Sequence, residues 1–197
     1  MSTDAAAAKA ALRARIRAAR AARSDDDRRL ASERICHHVL ALPELSTVSV
    51  VAAYVGCKGE PGTAPLLGEL RTRGVRVLLP IQRDDGDLDW GVDDGPARLT
   101  TGPHRIREPV GDRLGVEAIG TAQLIVVPAL GVDREGRRLG QGGGFYDRAL
   151  GRADPAALTV ALLYDDEVFD ELPVDAHDRS VLAAAIPSGV SRFGTRA

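Results

Sequence analysis

The chain has 197 residues, 44% of them hydrophobic but only 4% aromatic, so its core is expected to be aliphatic and residues 1–197 to form a single domain. Its 26 basic and 28 acidic residues leave a formal net charge of −2, which gives no general attraction for nucleic acid or a membrane. No apolar run approaches the roughly 18 residues of a membrane span, the charged N-terminus lacks a secretory apolar segment, and Cys36 and Cys57 form no metal-ligand pattern; a cytoplasmic location is expected.

Residues 5 to about 23 are rich in Ala and Arg, strong helix formers. Ser24 followed by Asp25-Asp26-Asp27 predicts a second helix start, with acids where the helix dipole favours them, and Pro43 ends that helix after Leu42. Residues 1–42 thus read as an N-terminal helical segment. The β-branched run Val48–Val55 predicts a first strand, residues 65–74 a helix closed by glycine, and Val75–Pro80 a second strand. The polar, turn-rich stretch 81–112 predicts short strands and loops, and 115–120 a short helix. Leu124–Val127 reads as a buried strand, Tyr146–Leu150 as the opening of a helix, Leu158–Leu163 and Val181–Ile186 as further strands, and 188–197 as a loose tail. Strands alternating with helices predict a three-layer α/β fold, its sheet mostly parallel with helices on both faces. Ligands of such sheets bind beyond the carboxyl ends of the strands, here after Val55, Pro80, Pro128 and Tyr164.

The most informative segment is Arg137-Arg138-Leu139-Gly140-Gln141-Gly142-Gly143-Gly144-Phe145-Tyr146-Asp147-Arg148. Four glycines within five positions let the backbone turn sharply and gather N–H groups on one point, which favours an anion such as phosphate. Arginines flank the glycines, and Asp147 offers a carboxylate for magnesium. A dinucleotide fingerprint fails because Phe145 stands where Gly or Ala is needed, and a P-loop fails because no Lys-Ser or Lys-Thr follows.

Elsewhere, Lys9, Arg13, Arg17 and Arg20 are spaced to share one helical face, readable as a solvated face or as a basic stripe over phosphates. Arg15 and Arg23 lie off that stripe and read as solvated. Glu60 is the only acid of the loop Gly56–Gly62, either a surface turn acid or an acceptor for a heterocycle. Trp90 reads first as a core residue and second as a stacking partner. His177 reads as structural, Glu108-Pro109 as a turn or a ligand contact, and Asp178 as a second magnesium carboxylate beside Asp147.

In this order along the chain, Lys9-Ala10-Ala11-Leu12-Arg13, the Tyr54 to Glu60-Pro61 loop, Val77-Leu78-Leu79-Pro80, Glu108-Pro109, the glycine segment, Leu172-Pro173 and His177-Asp178-Arg179 resemble the 5-formyltetrahydrofolate (methenyltetrahydrofolate synthetase) cyclo-ligase family. The resemblance implies ATP- and magnesium-dependent conversion of 5-formyltetrahydrofolate to 5,10-methenyltetrahydrofolate through a phosphorylated formyl group, with ADP and phosphate released. It implies that Lys9, Arg13 and residues 138–146 (Arg138, Leu139, Gly140, Gln141, Gly142, Gly143, Gly144, Phe145, Tyr146) hold ATP. By the same likeness Asp147 and Asp178 hold Mg2+, and Val55, Glu60, Trp90 and residues 141–145 border the folate. Arg148 and Tyr146 become the catalytic candidates. The chain departs from the family pattern at Phe145, where a second tyrosine is usual, at Ser180, and at Ile186-Pro187-Ser188, where a threonine is usual. The competing expectations are a sugar-phosphate isomerase-like or CoA-transferase-like enzyme on similar architecture and a non-catalytic nucleotide- or folate-binding protein.

Overall fold

The computed structural model describes residues 3–57, 59–103, 106–173 and 178–194; Lys58 of the Glu60 loop and His177 lie outside the described residues. The helices form where the sequence places them: α1 spans Thr3–Ala22 and α2 spans Asp25–Leu40. Ser24 caps α2, its hydroxyl accepting the Asp27 N–H at 3.1 Å. There follow β1 (Val50–Ala52), α3 (Ala64–Thr72), β2 (Arg76–Gln82), β3 (Leu88–Val92), β4 (Leu99–Thr101), β5 (Arg107–Pro109) and, after a 3-10 turn at Val116–Thr121, β6 (Leu124–Pro128). The remaining elements are β7 (Gly131–Asp133), β8 (Arg138–Leu139), α4 (Phe145–Leu150), β9 (Leu158–Leu162), β10 (Val168–Phe169), β11 (Ala183–Ile186) and β12 (Gly189–Arg192).

Seven strands form the central sheet in the order β12-β11-β9-β6-β1-β2-β3, parallel except for the edge strands β3 and β12. The period-2 alternation of strand side chains divides the core in two. Val51, Val77, Leu79, Leu124, Val126 and Val160 pack on one face with Ile35 and Val39 of α2 and Leu66 and Leu70 of α3. Ala52, Leu78, Ile125, Val127 and Ala161 pack on the other with Ile119, Ala149 and Leu150. The strands β1, β6 and β9 carry apolar side chains on both faces, which is why they read as unbroken apolar runs.

Three features depart from the sequence expectations. The first strand is Val50–Ala52 rather than Val48–Val55; at its start Gln123 Oε1 takes the N–H groups of Ser49 and Val50 at 2.8 and 3.1 Å. A small second sheet, β10-β7-β8, was illegible in strands of two or three residues; Ile16 of α1 packs with Leu130 and Leu139 against it. Finally, the segment from Ser188 is not loose as far as it is described. β12 pairs antiparallel with β11, and Arg192 binds Glu44 at 2.7 and 2.8 Å, pinning the edge to the turn after α2.

Candidate active site

The chain leaves β1 toward β2 on one side and later returns to β6 on the other, which makes the gap between β1 and β6 a topological switch point. A cavity of about 300 Å3 opens there, against Tyr54 and Val55 after β1, Pro80 and Gln82 at the end of β2, and Pro128 at the end of β6. Glu60, Arg138, residues 140–146 and Asp147 complete its wall. Of the four strand ends expected here, the one at Tyr164 is elsewhere: its ring lies under the Arg23 guanidinium at 4.1 Å. Arg23 also pairs with Asp166, so it is held against the protein rather than simply solvated.

On its other side the glycine segment borders a second, more polar cleft of about 740 Å3, lined by Gly142, Gly143, Gly144, Asp147, Arg148, Gly151, Asp178 and Arg179. The three glycines and Asp147 are therefore a partition between cavity and cleft. Gly142 and Gly144 adopt φ of +104° and +70°, conformations that cost an L-residue about 1–2 kcal/mol. A Cβ on Gly144 would also stand 2.7 Å from an Arg148 guanidinium nitrogen. Gly144→Ala is expected to lower stability by about 1–2 kcal/mol, read as a shift of the urea midpoint with an unchanged slope.

The basic face of α1 is docked on the protein rather than left to solvent, three of its cations at Asp178 and the start of the glycine segment. Arg13 Nε donates to the Gly140 carbonyl at 2.9 Å, and Arg17 Nη2 to the Gln141 side-chain oxygen at 2.8 Å. Lys9, almost fully buried, pairs with Asp178 at 2.5 Å. Arg20 makes a bidentate pair with Glu167, both contacts at 2.7 Å, and donates to the Ala129 carbonyl at 2.7 Å.

Asp147 accepts from buried Arg138 at 2.6 Å and from the Arg179 N–H at 3.2 Å, which brings the backbone next to Asp178 against Asp147. No group of three or more His, Cys, Asp or Glu able to hold a metal occurs among the described residues. Two hard carboxylates on one cleft fit magnesium, which takes one or two carboxylates and completes its shell with phosphate oxygens and water.

Glu60 is half-buried at the cavity, its carboxylate accepting the Cys57 N–H at 3.0 Å. Burial pushes its pKa above the ordinary carboxylate value, against the lowering effect of that N–H, of Arg20 and of a Gln141 hydrogen bond. Tyr54 and Tyr146 are pushed up as well, by burial first and by the nearby Glu60 charge second.

Several expected site residues stand differently. Trp90 is fully buried on β3 in the core with Ile125 and Val127 and does not line the cavity, so its core reading is the correct one. Leu139 is likewise a core side chain beneath α1, its carbonyl accepting the Leu130 N–H at 2.8 Å, and it lines neither the cavity nor the cleft. Arg148 is exposed on the cleft, and one guanidinium nitrogen donates to the carbonyls of Gly143 and Gly86, tying the partition to the β2–β3 turn. Glu108 is buried and accepts the Gln82 N–H at 2.8 Å, a support for the cavity wall. Sequence reasoning missed Tyr54 and Gln82 as wall residues, although their place just past apolar strands was a usable signal.

Residues 5–187 match the model of the 5-formyltetrahydrofolate cyclo-ligase family. The chain is 44% identical over 142 residues to the 5-formyltetrahydrofolate cyclo-ligase of Mycolicibacterium smegmatis, covering 70% of this chain and 73% of that one. It is 28% identical to the Escherichia coli K12 protein of the same name, over 89% of this chain and 98% of the other. Its fold is similar to the NMR structure of Aquifex aeolicus 5,10-methenyltetrahydrofolate synthetase, with a TM-score of 0.81 at 34% identity over 96% and 95% of the two chains.

Proposed function

The chain belongs to the 5-formyltetrahydrofolate cyclo-ligase family, and on that premise we propose that it closes 5-formyltetrahydrofolate to 5,10-methenyltetrahydrofolate with ATP and Mg2+, releasing ADP and phosphate. The observation that carries this reading is the partition: Gly142, Gly143 and Gly144 wall both the mostly apolar cavity and the polar cleft. A flat heterocycle in the cavity and a triphosphate in the cleft would be brought together at the edge of this glycine backbone, where Asp147 is the side chain that both spaces share.

The formyl oxygen attacks the γ-phosphorus, forming an O–P bond as the bond to ADP breaks. N10 then adds to the activated formyl carbon and gives up its proton, and phosphate leaves with the electron pair of the C–O bond. The protein's part is chiefly positioning and charge stabilisation. Arg13 and Lys9 on α1, with Arg148 across the cleft, would face the phosphates. Val55, Glu60 and residues 141–145 would hold the folate, and Tyr146 would close the cavity beneath it. Asp147 and Asp178 would hold magnesium, whose charge neutralises phosphate oxygens when bound. Arg138 is a buried strut that fixes Asp147 rather than a free phosphate cation.

The test is growth of the methenyl absorbance band on mixing the protein with 5-formyltetrahydrofolate, ATP and magnesium. Growth only when ATP and magnesium are both present is the expected result. Folate binding without any growth of the band would leave a binding protein in place of an enzyme.

A pH dependence follows from Glu60. Its carboxylate is the form that accepts hydrogen bonds from a heterocycle, and its pKa is raised by burial. Affinity for the reduced folate is therefore expected to fall as pH is lowered through a value above about 4.3, the ordinary glutamate pKa. In Glu60→Gln the calorimetric affinity should be lower at neutral pH and flat across that window.

A further inference from the structure

Two arginines, Arg148 in the last turn of α4 and Arg152 just past its end, both reach the turn between β2 and β3, and they hold it in different ways. Arg148 lines the cleft and spends one guanidinium nitrogen on two main-chain carbonyls, Gly86 in the turn and Gly143 in the partition. Among the described residues it pairs with no carboxylate. Arg152 lies off the cleft and instead grips the Asp87 carboxylate with two nitrogens, at 3.0 and 2.5 Å. Its Nε reaches Glu117 at 3.2 Å.

The turn itself is closed and shaped for this contact. The Gly86 N–H donates to the Arg83 carbonyl and the Arg83 N–H to the Asp87 carbonyl, each at 3.1 Å, while the Arg83 side chain takes Asp85 at 2.8 Å. Gly86 adopts a φ of +83°, and a Cβ there would stand 3.1 Å from an Arg148 nitrogen. Arg152 also donates to the Arg148 carbonyl at 3.4 Å, so its hold on Asp87 sits within one helical turn of Arg148. The chemical difference between the two arginines is one of charge. A carbonyl positions a guanidinium without cancelling its charge, whereas a carboxylate would do both. Asp87, next in the chain to the carbonyl that Arg148 holds, is the carboxylate that Arg152 occupies through a bidentate fork.

Resting on the nucleotide half of the reading above, we propose that Arg152 is a positioning residue of the phosphate cleft: by engaging Asp87 it keeps that carboxylate off Arg148, whose charge is thereby left for the triphosphate.

The test is Kd for ATP with magnesium, measured by calorimetry in Arg152→Met, Arg148→Met, Arg148→Met/Arg152→Met and Asp87→Asn/Arg152→Met. Kd for 5-formyltetrahydrofolate and Tm are measured alongside. Arg152→Met frees Asp87 to compete for Arg148 and is expected to raise the ATP Kd by about 3- to 30-fold, the range for a residue that acts on a ligand through a neighbour, with the folate Kd unmoved. Asp87→Asn/Arg152→Met also removes the competing carboxylate and should return most of that affinity. In the Arg148→Met background, Arg152→Met should add nothing, because the charge it protects is already gone; this is the arm that a purely structural ion pair does not predict. An unchanged ATP Kd in Arg152→Met, no recovery in Asp87→Asn/Arg152→Met, a further rise in Arg148→Met/Arg152→Met, or ATP and folate affinities falling together with Tm would each overturn the proposal. Wild-type protein that binds ATP with these dependences but yields no methenyl band would overturn the proposed reaction and leave this inference standing; wild-type protein that binds no ATP would end both.

Discussion

Asp147→Asn is expected to lower turnover by on the order of 100- to 1,000-fold, the scale of losing one preorganised charge interaction in a reaction centre, while much of the folate affinity survives. Asp147 lies on the partition, lines the cleft with Asp178, and accepts its hydrogen bonds from Arg138 and the Arg179 N–H. The variant also carries a stability cost, because Asp147 is the counter-ion of Arg138, whose side chain is only 3% exposed. Leaving a buried guanidinium without its carboxylate costs about 3–5 kcal/mol. The two effects separate in Arg138→Met/Asp147→Asn, where removing both charges is expected to return most of the stability. Turnover measured on folded protein well below Tm should stay low in that double variant. Recovery of turnover would reduce Asp147 to a counter-ion and remove it from the metal assignment.

The double use of Asp147 marks where sequence reading stopped. The central strands were legible through their apolar runs, and Ser24 announced α2 through its cap. The glycine segment was legible because so many glycines in a row suit few purposes other than close backbone approach. What could not be seen was which partner each charge would find. Arg20 and Arg13 share one helical face, yet one is buried on Glu167 of the short turn Asp165–Glu167 and the other lies along the glycine loop after β8, a distinction that neither segment shows through periodicity. Trp90 and Tyr54 show the same limit in another form. Both are buried aromatic residues, Trp90 in the middle of β3 and Tyr54 just past β1, and only the fold shows that the second also borders the cavity.

Arg20 governs a second stability effect of the same size. Its guanidinium is 4% exposed and the Glu167 carboxylate 3%, and they meet through two contacts of 2.7 Å. Glu167 in turn accepts the Tyr164 N–H at 2.9 Å, so a single carboxylate joins α1 to the turn after β9. Glu167→Ala is expected to cost about 3–5 kcal/mol, since it strands a buried charge, and to lower Tm by about 2–4 °C for each kcal/mol in a chain of this size. The consequence reaches the site through α1, which carries Lys9, Arg13 and Arg17, four residues apart, to Asp178 and the start of the glycine segment. If docking of this helix is what places those cations, Kd for ATP should rise in Glu167→Ala although no residue facing the cleft has changed, and the folate Kd should move less. Arg20→Met/Glu167→Met provides the decisive comparison. Replacing a buried ion pair by apolar side chains of similar size is often close to neutral, so both Tm and ATP affinity should return together. Return of Tm without return of ATP affinity would mean that Arg20 serves the nucleotide directly, and an unchanged ATP Kd in Glu167→Ala would sever the link between α1 docking and the phosphate site.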